Sequence, residues 1–509
     1  MTRGGMLMLL QHGTGNFWID NGLVVLSRLL TNDNLPAPLN PLLQQLLAGD
    51  KLPADVNPLL QQLAEQIYQQ TGKTEVYWDE QSQQIKTYNK RNWQEPIGLF
   101  ISVVDSPPKK QVNDKELFTR PPNAASLIRI NPRGKTKCDL CGADEVPIES
   151  ARLYLFPFVV DPGKFGNFYS VAKRGVKLCP RCAVAGFAAF QSWLWRRQGN
   201  TYHFFVFHTD LERLSALHES VLSPLRLAEV KGGNFEVDFF GEYPSENLFA
   251  LLLSLFKFLH ARESGGEVSP LLAELTGAQP VVGNPIVVYA FSGEGGKSFS
   301  MRAFTQFDRF QLFYRLYRRW IEALSANNPH SVLAQVFRQF QHKRQRTETI
   351  WREWVCSAML KQIDPSPSIE AFLYDVCTEI RRALSYGTLE MLQIYLQEVL
   401  KMDEKLLNIL KGFGYELGRV AAEKSEMGLL YALRNAKNLD QFLDVLNQIQ
   451  FTLEKTINPE LLRVEPGERI AGAPWNRVKT LLAIHAMNAY LRTKYPASEA
   501  QSQEEVSHE

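Results

Sequence analysis

Two short cysteine pairs, KCDLCG at residues 137–142 and LCPRCA at residues 178–183, form the most specific pattern in the chain. Two residues separate the cysteines of each pair, which lets two thiolates of one tight turn reach the same tetrahedral ion. Two alternatives are four reduced cysteines that are only packed together, or two disulfides. The paired spacing favours a metal site over both. The pattern predicts a structural zinc site with the ligands Cys138, Cys141, Cys179 and Cys182. Because four protein ligands leave no position for a substrate water, we expect this zinc to stabilise the fold and not to catalyse a reaction.

The composition is that of an ordinary globular protein, with 45% apolar and 22% charged residues in a chain of 509. That length suits about two to four domains. The net charge is only +2, so any surface for nucleic acid must be local. The two remaining cysteines, Cys356 and Cys377, lie in helical patterns and are expected to be buried free thiols. Thiols with metal spacing fit a reducing compartment and no stretch is apolar enough to span a bilayer, so we expect a cytoplasmic protein without a membrane partner.

The period of the apolar residues changes near residue 300. Before it, β-prone runs at 74–88, 97–104, 152–160, 202–208 and 286–291 alternate with helical segments, and after it the period stays at 3.6 almost to Tyr495. We therefore predict an α+β protein with a mixed N-terminal α/β region and a C-terminal helical bundle. The predicted regions are an N-terminal α+β region (1–125), a zinc-binding insert (126–200), an α+β continuation (201–300), the helical bundle (301–495) and a disordered tail (496–509).

Four helix starts are predicted before residue 200. In TGNFWIDNG at residues 14–22, Asp20 or Asn21 is placed to cap a helix that begins near Leu23. The heptapeptide NPLLQQL occurs at 40–46 and again at 57–63, and it predicts two short amphipathic helices, each capped by its Asn. The second cysteine pair is expected to open a helix over 183–197.

Two groups of residues are candidates for contacts with nucleic acid. The first group lies between predicted strands and mixes cations with side chains that can reach base edges: Lys86, Asn89, Lys90, Arg91 and Asn92. A solvated basic loop explains that spacing at least as well. The second group lies on two helical segments in which acids are few, and comprises Arg315, Arg318, Arg319, Lys343, Arg344 and Arg346. Its one-sided charge favours an anionic partner.

Sequence signatures of catalysis are missing from the chain. The loop SGEGGKS at 292–298 resembles a phosphate-binding loop, but Phe291 occupies the position of its first Gly, so we expect a hairpin turn. The helicase acidic box, the His-Asp pair of metal phosphohydrolases, the zinc-protease motif and the Gly-x-Ser-x-Gly motif are also absent. A long chain with one closed zinc site, local basic groups, a large helical part and no catalytic motif is typical of a non-catalytic binding and scaffold subunit, and not of an enzyme.

Three stretches together resemble one protein family. TGNFWIDNG at 14–22 resembles the Gly-Asn-Pro-Phe-Val-Asp-x-Gly opening of the large subunits of type I CRISPR interference complexes (Cascade) in the I-A/I-B branch, although Phe17 stands where that pattern often has Pro. The two cysteine pairs with their long spacer, and LYALRNAKNLDQF at 430–442, also resemble that branch. With the chain length and the helical C-terminal part, the resemblance covers most of the chain.

The resemblance implies a role in antiviral defence. Such a large subunit lies where the 5′ handle of the guide is held, helps recognise the motif flanking the target, opens the duplex and stabilises the R-loop. The implied partners are the guide CRISPR RNA, the target double-stranded DNA, the backbone, handle-binding and small subunits of Cascade, and a helicase-nuclease effector that does the cutting. The C-terminal bundle would resemble the small subunit, and an internal start at Met359 would give a separate product of that kind.

Two other functions remain open at this point. One is the same subunit working in an RNA-guided transposition system, which the chain does not distinguish from defence. The other is a zinc-containing nucleic-acid-processing enzyme whose catalytic residues come from distant parts of the sequence.

Overall fold

The computed structural model describes residues 13–31, 36–49, 55–101, 103–144, 146–158, 175–227, 230–266, 269–281, 283–296, 299–324, 327–342 and 348–496. It is an α+β protein, as predicted, and it divides into two compact units. Unit 1 comprises Met1–Glu236 and Pro280–Asp308, and unit 2 comprises Val237–Gln279 and Arg309–Glu509. The predicted disordered tail lies outside the described residues, except for Pro496.

Unit 1 combines short helices with two four-stranded sheets in its described part. The helices are α1 (Phe17–Thr31), α2 (Asn40–Ala48), α3 (Asn57–Ile67), α4 (Pro180–Ala188) and α5 (Leu211–Leu217), which continues through a π-helical turn (His218–Leu222) to Leu225. The strands are β1 (Tyr68–Asp79), β2 (Gln84–Trp93), β3 (Lys109–Val112), β4 (Lys115–Phe118), β5 (Lys135–Thr136), β6 (Val146–Pro147), β7 (Glu149–Ser150), β8 (Lys177–Leu178), β9 (Leu194–Gln198), β10 (Thr201–His208), β11 (Val287–Gly295) and β12 (Phe299–Phe307).

The two sheets differ in how far they are buried. The first has the strand order β2-β1-β4-β3, and its β1–β2 hairpin is largely exposed, with Val76 and Ile85 among the exposed apolar side chains. The second has the order β12-β11-β10-β9, all antiparallel, and six consecutive residues of β10 (202–207) are buried. The core of unit 1 therefore lies around β10 and the helices packed on it.

Several sequence-based boundaries in unit 1 are wrong. The strand predicted at 74–88 is the β1–β2 hairpin, Ile97–Leu99 is a 3₁₀ turn, and 153–155 form a turn. The helix predicted over 183–197 ends at Ala188, because Trp195 pairs with Phe204 as part of β9. In β9, pairing with the next strand of the chain overrides the local helical pattern. The hairpin predicted at 292–298 is confirmed by the antiparallel pairing of β11 with β12.

The repeated heptapeptide forms α2 and α3, but its Asn residues do not cap them. Each Asn is the first residue inside its helix. The amide of Asn57 instead clamps the main chain of Ile130, accepting from its N–H at 2.8 Å and donating to its carbonyl oxygen at 3.1 Å. Asn40 Oδ1 is buried and has no hydrogen-bond partner in the described part of the chain. The two copies therefore share a local fold and differ in their tertiary contacts.

Unit 2 is mainly helical. Its helices are α6 (Pro244–Ser264), α7 (Pro270–Thr276), α8 (Phe310–Ala323), α9 (Pro329–Arg338), α10 (Ile350–Leu360), α11 (Ser366–Phe372), which continues through a π-helical turn to Ile380, α12 (Tyr386–Glu398), α13 (Glu404–Lys424), α14 (Met427–Asn435), α15 (Leu439–Leu453) and α16 (Trp475–Lys494). Three short strands, β13 (Val464–Glu465), β14 (Arg469–Ile470) and β15 (Ala473–Pro474), precede α16. Among the described helices, none combines the length and the apolar character that a membrane span requires.

Two features organise unit 2. The 3.6-residue period predicted after residue 300 is confirmed in α8, whose buried residues run from Phe310 to Ile321 at helical spacing. A buried ion pair joins α6 to α10, with Arg352 Nε 2.5 Å from Glu246 Oε2. The Glu246 N–H also donates to Glu353 Oε2 at 2.8 Å, and burial raises the pKa of Glu353 to about 7. The first turns of the two helices are thus joined by polar groups shielded from water.

Candidate metal centre

The four cysteines of the two pairs come together in unit 1. Their sulfur atoms all lie within 4.8 Å of one another, and Cys141 Sγ is 3.6 Å from Cys179 Sγ. All four are free cysteines, and that separation is far longer than the roughly 2.05 Å of a disulfide bond. Four sulfurs bonded at about 2.3 Å to one tetrahedral ion would lie about 3.8 Å apart, so the cluster could hold a metal ion.

Each cysteine pair is held by a local main-chain turn. In the first, Gly142 has φ +76° and its N–H donates to the carbonyl oxygen of Cys138 at 3.0 Å. Glycine adopts this left-handed conformation without steric cost. In the second, Cys179 is the N-cap of α4 with Pro180 following it, and Cys179 Sγ accepts from the N–H of Cys182 at 3.5 Å. The cap of a helix therefore doubles as a ligand position.

Main-chain hydrogen bonds also join the two turns to each other. The Asp139 N–H donates to the carbonyl oxygen of Lys177 at 2.9 Å, and the Lys177 N–H donates to Asp139 Oδ2 at 2.7 Å. The Cys179 N–H donates to Cys138 Sγ at 3.3 Å. These contacts place the cysteine pairs side by side before any ion is considered.

The thiols share their protons unequally. Hydrogen bonds from Cys141, Cys179 and Cys182 hold the pKa of Cys138 well below its ordinary value. Hydrogen bonding to Cys138 raises the pKa of Cys141, but bonds from the other two thiols outweigh it and lower that pKa to about 7. Cys138 and then Cys141 raise the pKa of the buried Cys182 well above normal. Cys138 and Cys141 therefore lose their protons more readily than an ordinary thiol, whereas Cys182 keeps its proton, so full deprotonation requires a cation among the sulfurs.

Helix α4 carries Cys182 and packs against α1 with almost no side chain between them. A Cβ atom on Gly22 would lie 1.8 Å from the carbonyl oxygen of Ala185. Gly186 makes a similar approach to the carbonyl oxygen of Leu155, and its own carbonyl oxygen accepts from Trp18 Nε1 at 2.9 Å. The four-cysteine cluster therefore lies at the start of the helix against which α1 packs. The only sequence signal for this contact is a glycine next to an apolar run, which does not by itself indicate its partner.

The cap of α1 differs from the one predicted. Asn16 is the cap, since its Oδ1 accepts from the N–H groups of Trp18 and Ile19 at 3.0 and 3.1 Å. Asp20 lies inside the helix and accepts from Thr14 N at 2.7 Å, with His208 Nε2 3.2 Å away on β10. Its carboxylate thus fixes the loop that precedes α1.

Asn21, the other predicted cap, joins three elements of unit 1. Its Nδ2 donates to the carbonyl oxygens of Phe17 and Phe207 at 2.7 Å each, and its Oδ1 lies 2.6 Å from His218 Nε2. Because Oδ1 can only accept, His218 must carry its proton on Nε2. Burial lowers the pKa of His218 to about 3, so this histidine is neutral.

The third family-like stretch, residues 430–442, is also structural. Asn438 caps α15 by accepting from the Gln441 N–H at 2.8 Å, and Gln441 Oε1 accepts from the Lys437 N–H at 2.9 Å. Arg434 pairs with Asp375 at 2.8 Å. These residues end one helix and begin the next within unit 2.

The residues proposed to read duplex DNA all lie on β2 of the exposed hairpin. Its cations are already paired: Lys86 with Asp79, Lys90 with Glu75 at 2.7 Å, and Arg91 with Glu65 at 2.6 Å. Asn89 and Asn92 pair with Thr74 and Gln69 across the hairpin. The structure brings this group together but leaves it little free positive charge.

The second basic group is only partly described. Arg315 and Arg319 both pair with Glu398, Arg315 at 3.7 Å, and Arg318 lies 3.8 Å from Glu263 and 3.7 Å from Glu322. These arginines lie on the exposed side of α8, with acidic neighbours from α6 and α12. Lys343, Arg344 and Arg346 lie outside the described residues.

A scan against protein-family models finds no family that matches this chain, and a search of curated proteins finds no significant relative.

Proposed function

We propose that the four-cysteine cluster binds one zinc ion with a structural role. Cys138, Cys141, Cys179 and Cys182 would supply all four ligands, and zinc favours a closed tetrahedral set of thiolates in such sites. The ion would neutralise the thiolates and lock the two turns together. It would have no open position for a reacting water.

We further propose that the chain is the large subunit of a type I CRISPR interference complex, acting in the cytoplasm as a binding and scaffold subunit. The observation that carries this proposal is the contact of Gly22 with α4. This contact joins residues 14–22, one of the stretches on which the resemblance depends, to the helix that begins at the second cysteine pair, at a point three residues after Cys182. Segments that resemble one family in sequence and also pack on one another support common descent more strongly than isolated motifs.

In this role the chain would contact the guide CRISPR RNA, the target duplex and the other Cascade subunits. It would help recognise the motif flanking the target, open the duplex, stabilise the R-loop and recruit a separate helicase-nuclease. Sequence would be read by guide–target pairing, so the protein would mainly hold phosphates and read a short flanking motif.

The proposed contacts on α8 would work by exchange of partners. Arg315 and Arg319 share Glu398, and a phosphate that displaces this carboxylate would gain both cations at once. The exposed ion pairs are weak enough for such exchange, at about 0–1 kcal/mol each. The cations of β2 would act in the same way.

Co-purification tests the proposal. The chain, tagged and isolated from its native host, is expected to bring down a small RNA of uniform length that begins with a repeat-derived handle, together with the backbone subunits. Cys138→Ser and Cys179→Ser should reduce both zinc content, measured by elemental analysis, and the recovered RNA. Cys377→Ala, which changes a buried thiol outside the cluster, should keep both.

A wild-type preparation that contains zinc but neither guide RNA nor Cascade subunits would refute the CRISPR assignment and leave the zinc proposal intact. Recovery of transposition proteins with the guide RNA would favour the RNA-guided transposition role. Specific, metal-dependent cleavage of labelled DNA by the purified chain would favour the nucleic-acid-processing enzyme.

A further inference from the structure

A group of unpaired cations lies directly before the first cysteine pair. Arg129, Arg133 and Lys135 are exposed, and within the described residues their side chains take part in no ion pair or hydrogen bond. The predicted contacts on β2 and α8 differ in this respect, because each described cation there has a carboxylate partner. An unpaired cation can bind a phosphate without first breaking an internal contact.

The main chain of this segment is held at three points. The amide of Asn57 clamps Ile130, the Arg133 N–H donates to the carbonyl oxygen of Ile148 at 2.8 Å, and Lys135 pairs with Pro147 between β5 and β6. A fixed main chain presents the three side chains from a stable platform and reduces the entropy lost on binding.

Two carboxylates on neighbouring parts of the chain, Glu149 of β7 and Asp139 of the first cysteine turn, accept hydrogen bonds from main-chain groups. Glu149 Oε2 accepts from the Asn131 N–H at 2.9 Å, and Asp139 Oδ2 accepts from the Lys177 N–H at 2.7 Å. The first bond holds Glu149 against the main chain of the basic segment, and the second turns Asp139 toward the second cysteine turn. The cations at 129, 133 and 135 remain available to an external anion.

We propose that Arg129, Arg133 and Lys135 form a binding surface for the phosphate backbone of a nucleic-acid strand, fixed in place by the neighbouring metal centre. The segment spans at most about 20 Å, enough to follow several phosphates of one strand. Arginine offers a planar fork of donors to phosphate, and lysine adds a point charge. Lys137 is left out of this surface because it adjoins Cys138, where its charge offsets that of the thiolates.

The metal centre would then have a second role besides stabilising the fold, which is to position this phosphate-binding surface. Because Lys135 lies two residues before Lys137 and three before Cys138, the ion would fix the end of the phosphate-binding segment. The inference rests on the proposed function in naming nucleic acid as the ligand. It adds the residues that hold the strand, which the family-like motifs do not identify.

The test compares two triple variants of the full-length, zinc-containing protein. The first, Arg129→Ala with Arg133→Ala and Lys135→Ala, removes the unpaired cations. The control, Lys109→Ala with Lys405→Ala and Arg419→Ala, removes three exposed cations that are paired with Glu116, Glu460 and Glu423. Each protein is titrated against a labelled random-sequence duplex and a labelled single-stranded RNA, between about 50 and 200 mM salt.

The first variant should bind about tenfold or more weakly at low salt, and the slope of log affinity against log salt should fall by about 1 for each cation removed. The control should match wild type in both respects, and all three proteins should have the same zinc content and melting temperature. The duplex and RNA arms identify which strand the surface holds.

The inference is overturned if the first variant keeps the wild-type affinity and slope, or if wild type binds neither probe. Co-purification of guide RNA would still stand as separate support for the proposed function in the first case. An equal loss in the control would also overturn the inference, since it would trace the effect to overall charge.

Discussion

Two helix crossings in this protein depend on glycine, one in each unit. In unit 1, Gly22 of α1 lies against the main chain of α4, where a Cβ would be 1.8 Å from Ala185 O. In unit 2, Gly418 of α13 lies against α16, where a Cβ would be 2.0 Å from Ala486 O. Gly414, one turn earlier on α13, makes a second close approach to α16. Both crossings bring helix backbones closer than any side chain permits.

The crossings differ in what holds them together. Helix α4 has nine residues and begins at the four-cysteine cluster, whereas α13 and α16 have 21 and 20 residues and contain no cysteine. Short helices are marginal by themselves, and long ones can bury enough apolar surface to hold their position. The comparison indicates that a close helix contact needs either a long apolar interface or a rigid anchor at a helix end.

Removal of the metal should have the largest effect and should be confined to the first crossing. Chelation, or Cys182→Ser, is expected to abolish hydrogen-exchange protection in α4 and to weaken it in α1. The free energy of binding for structural zinc is about 10 kcal/mol or more in small domains, so its loss removes most of the local stability. Hydrogen exchange followed by mass spectrometry measures each helix separately. Cys377→Ala is the matched control, and equal loss of protection in α13 would contradict the comparison.

Alanine at the crossing glycines should have the next largest effect. Gly22→Ala and Gly418→Ala each place a methyl group against a carbonyl oxygen that cannot move aside, at a cost of about 3 kcal/mol in the free energy of unfolding. Denaturant unfolding measures this cost. Gly22→Ala should also lose metal to a competing chelator faster than wild type, whereas Gly418→Ala should not. Identical metal retention in the two variants would show that the contact between α1 and α4 does not affect metal binding.

The pH dependence should have opposite signs in the two units, with the stability of unit 2 falling and metal retention in unit 1 rising as the pH increases. Burial raises the pKa of both Glu353 and Glu370 in unit 2 to about 7, so the folded state holds protons there that the unfolded state releases. The stabilisation is complete below the unfolded pKa of about 4.5 and is lost as the pH rises through about 7. The expected loss is on the order of 2–3 kcal/mol for each carboxyl.

Glu353→Gln tests this pH effect directly, because glutamine keeps an acceptor for the Glu246 N–H but does not ionise. The variant should lose part of the decline in unfolding free energy between about pH 5 and pH 8, and Glu370 should account for much of the remainder. Metal retention in unit 1 should instead improve over that range, since thiols release protons when they bind a metal. A wild-type slope in the variant would exclude Glu353 as a source of the decline.

Gly412→Ala should have the smallest effect and the opposite sign. Gly412 lies in α13 two residues before Gly414, but a Cβ there would meet no atom within 4 Å. Alanine favours the helix over glycine by about 1 kcal/mol, so thermal unfolding should occur at a slightly higher temperature. A destabilised variant would mean that glycine serves α13 in some way other than close packing.

The sequence predicted those features that depend on neighbours a few residues apart. The cysteine spacing located the cluster, and the 3.6-residue period located the buried arc of α8 from Phe310 to Ile321. The sequence did not predict which distant residue each polar side chain would meet. Asp20 bonds to Thr14 and His208 and does not cap α1, and Arg315 meets Glu398 from a helix far along the chain. Spacing reports which face a side chain occupies, and the folded chain decides which partner it meets there.

The two copies of NPLLQQL illustrate this difference, because the same sequence makes different tertiary contacts at its two positions. At the second copy, a side-chain amide grips both polar groups of residue 130, just ahead of the unpaired cations and the cysteine turn. At the first copy, the corresponding amide oxygen is left without a partner in the described chain. Substitution of Asn40 should therefore cost little stability, whereas substitution of Asn57 would lose its hydrogen bonds to a segment some seventy residues away. Drift should erase the first copy sooner, and the repeat would then survive in descendants as a single motif.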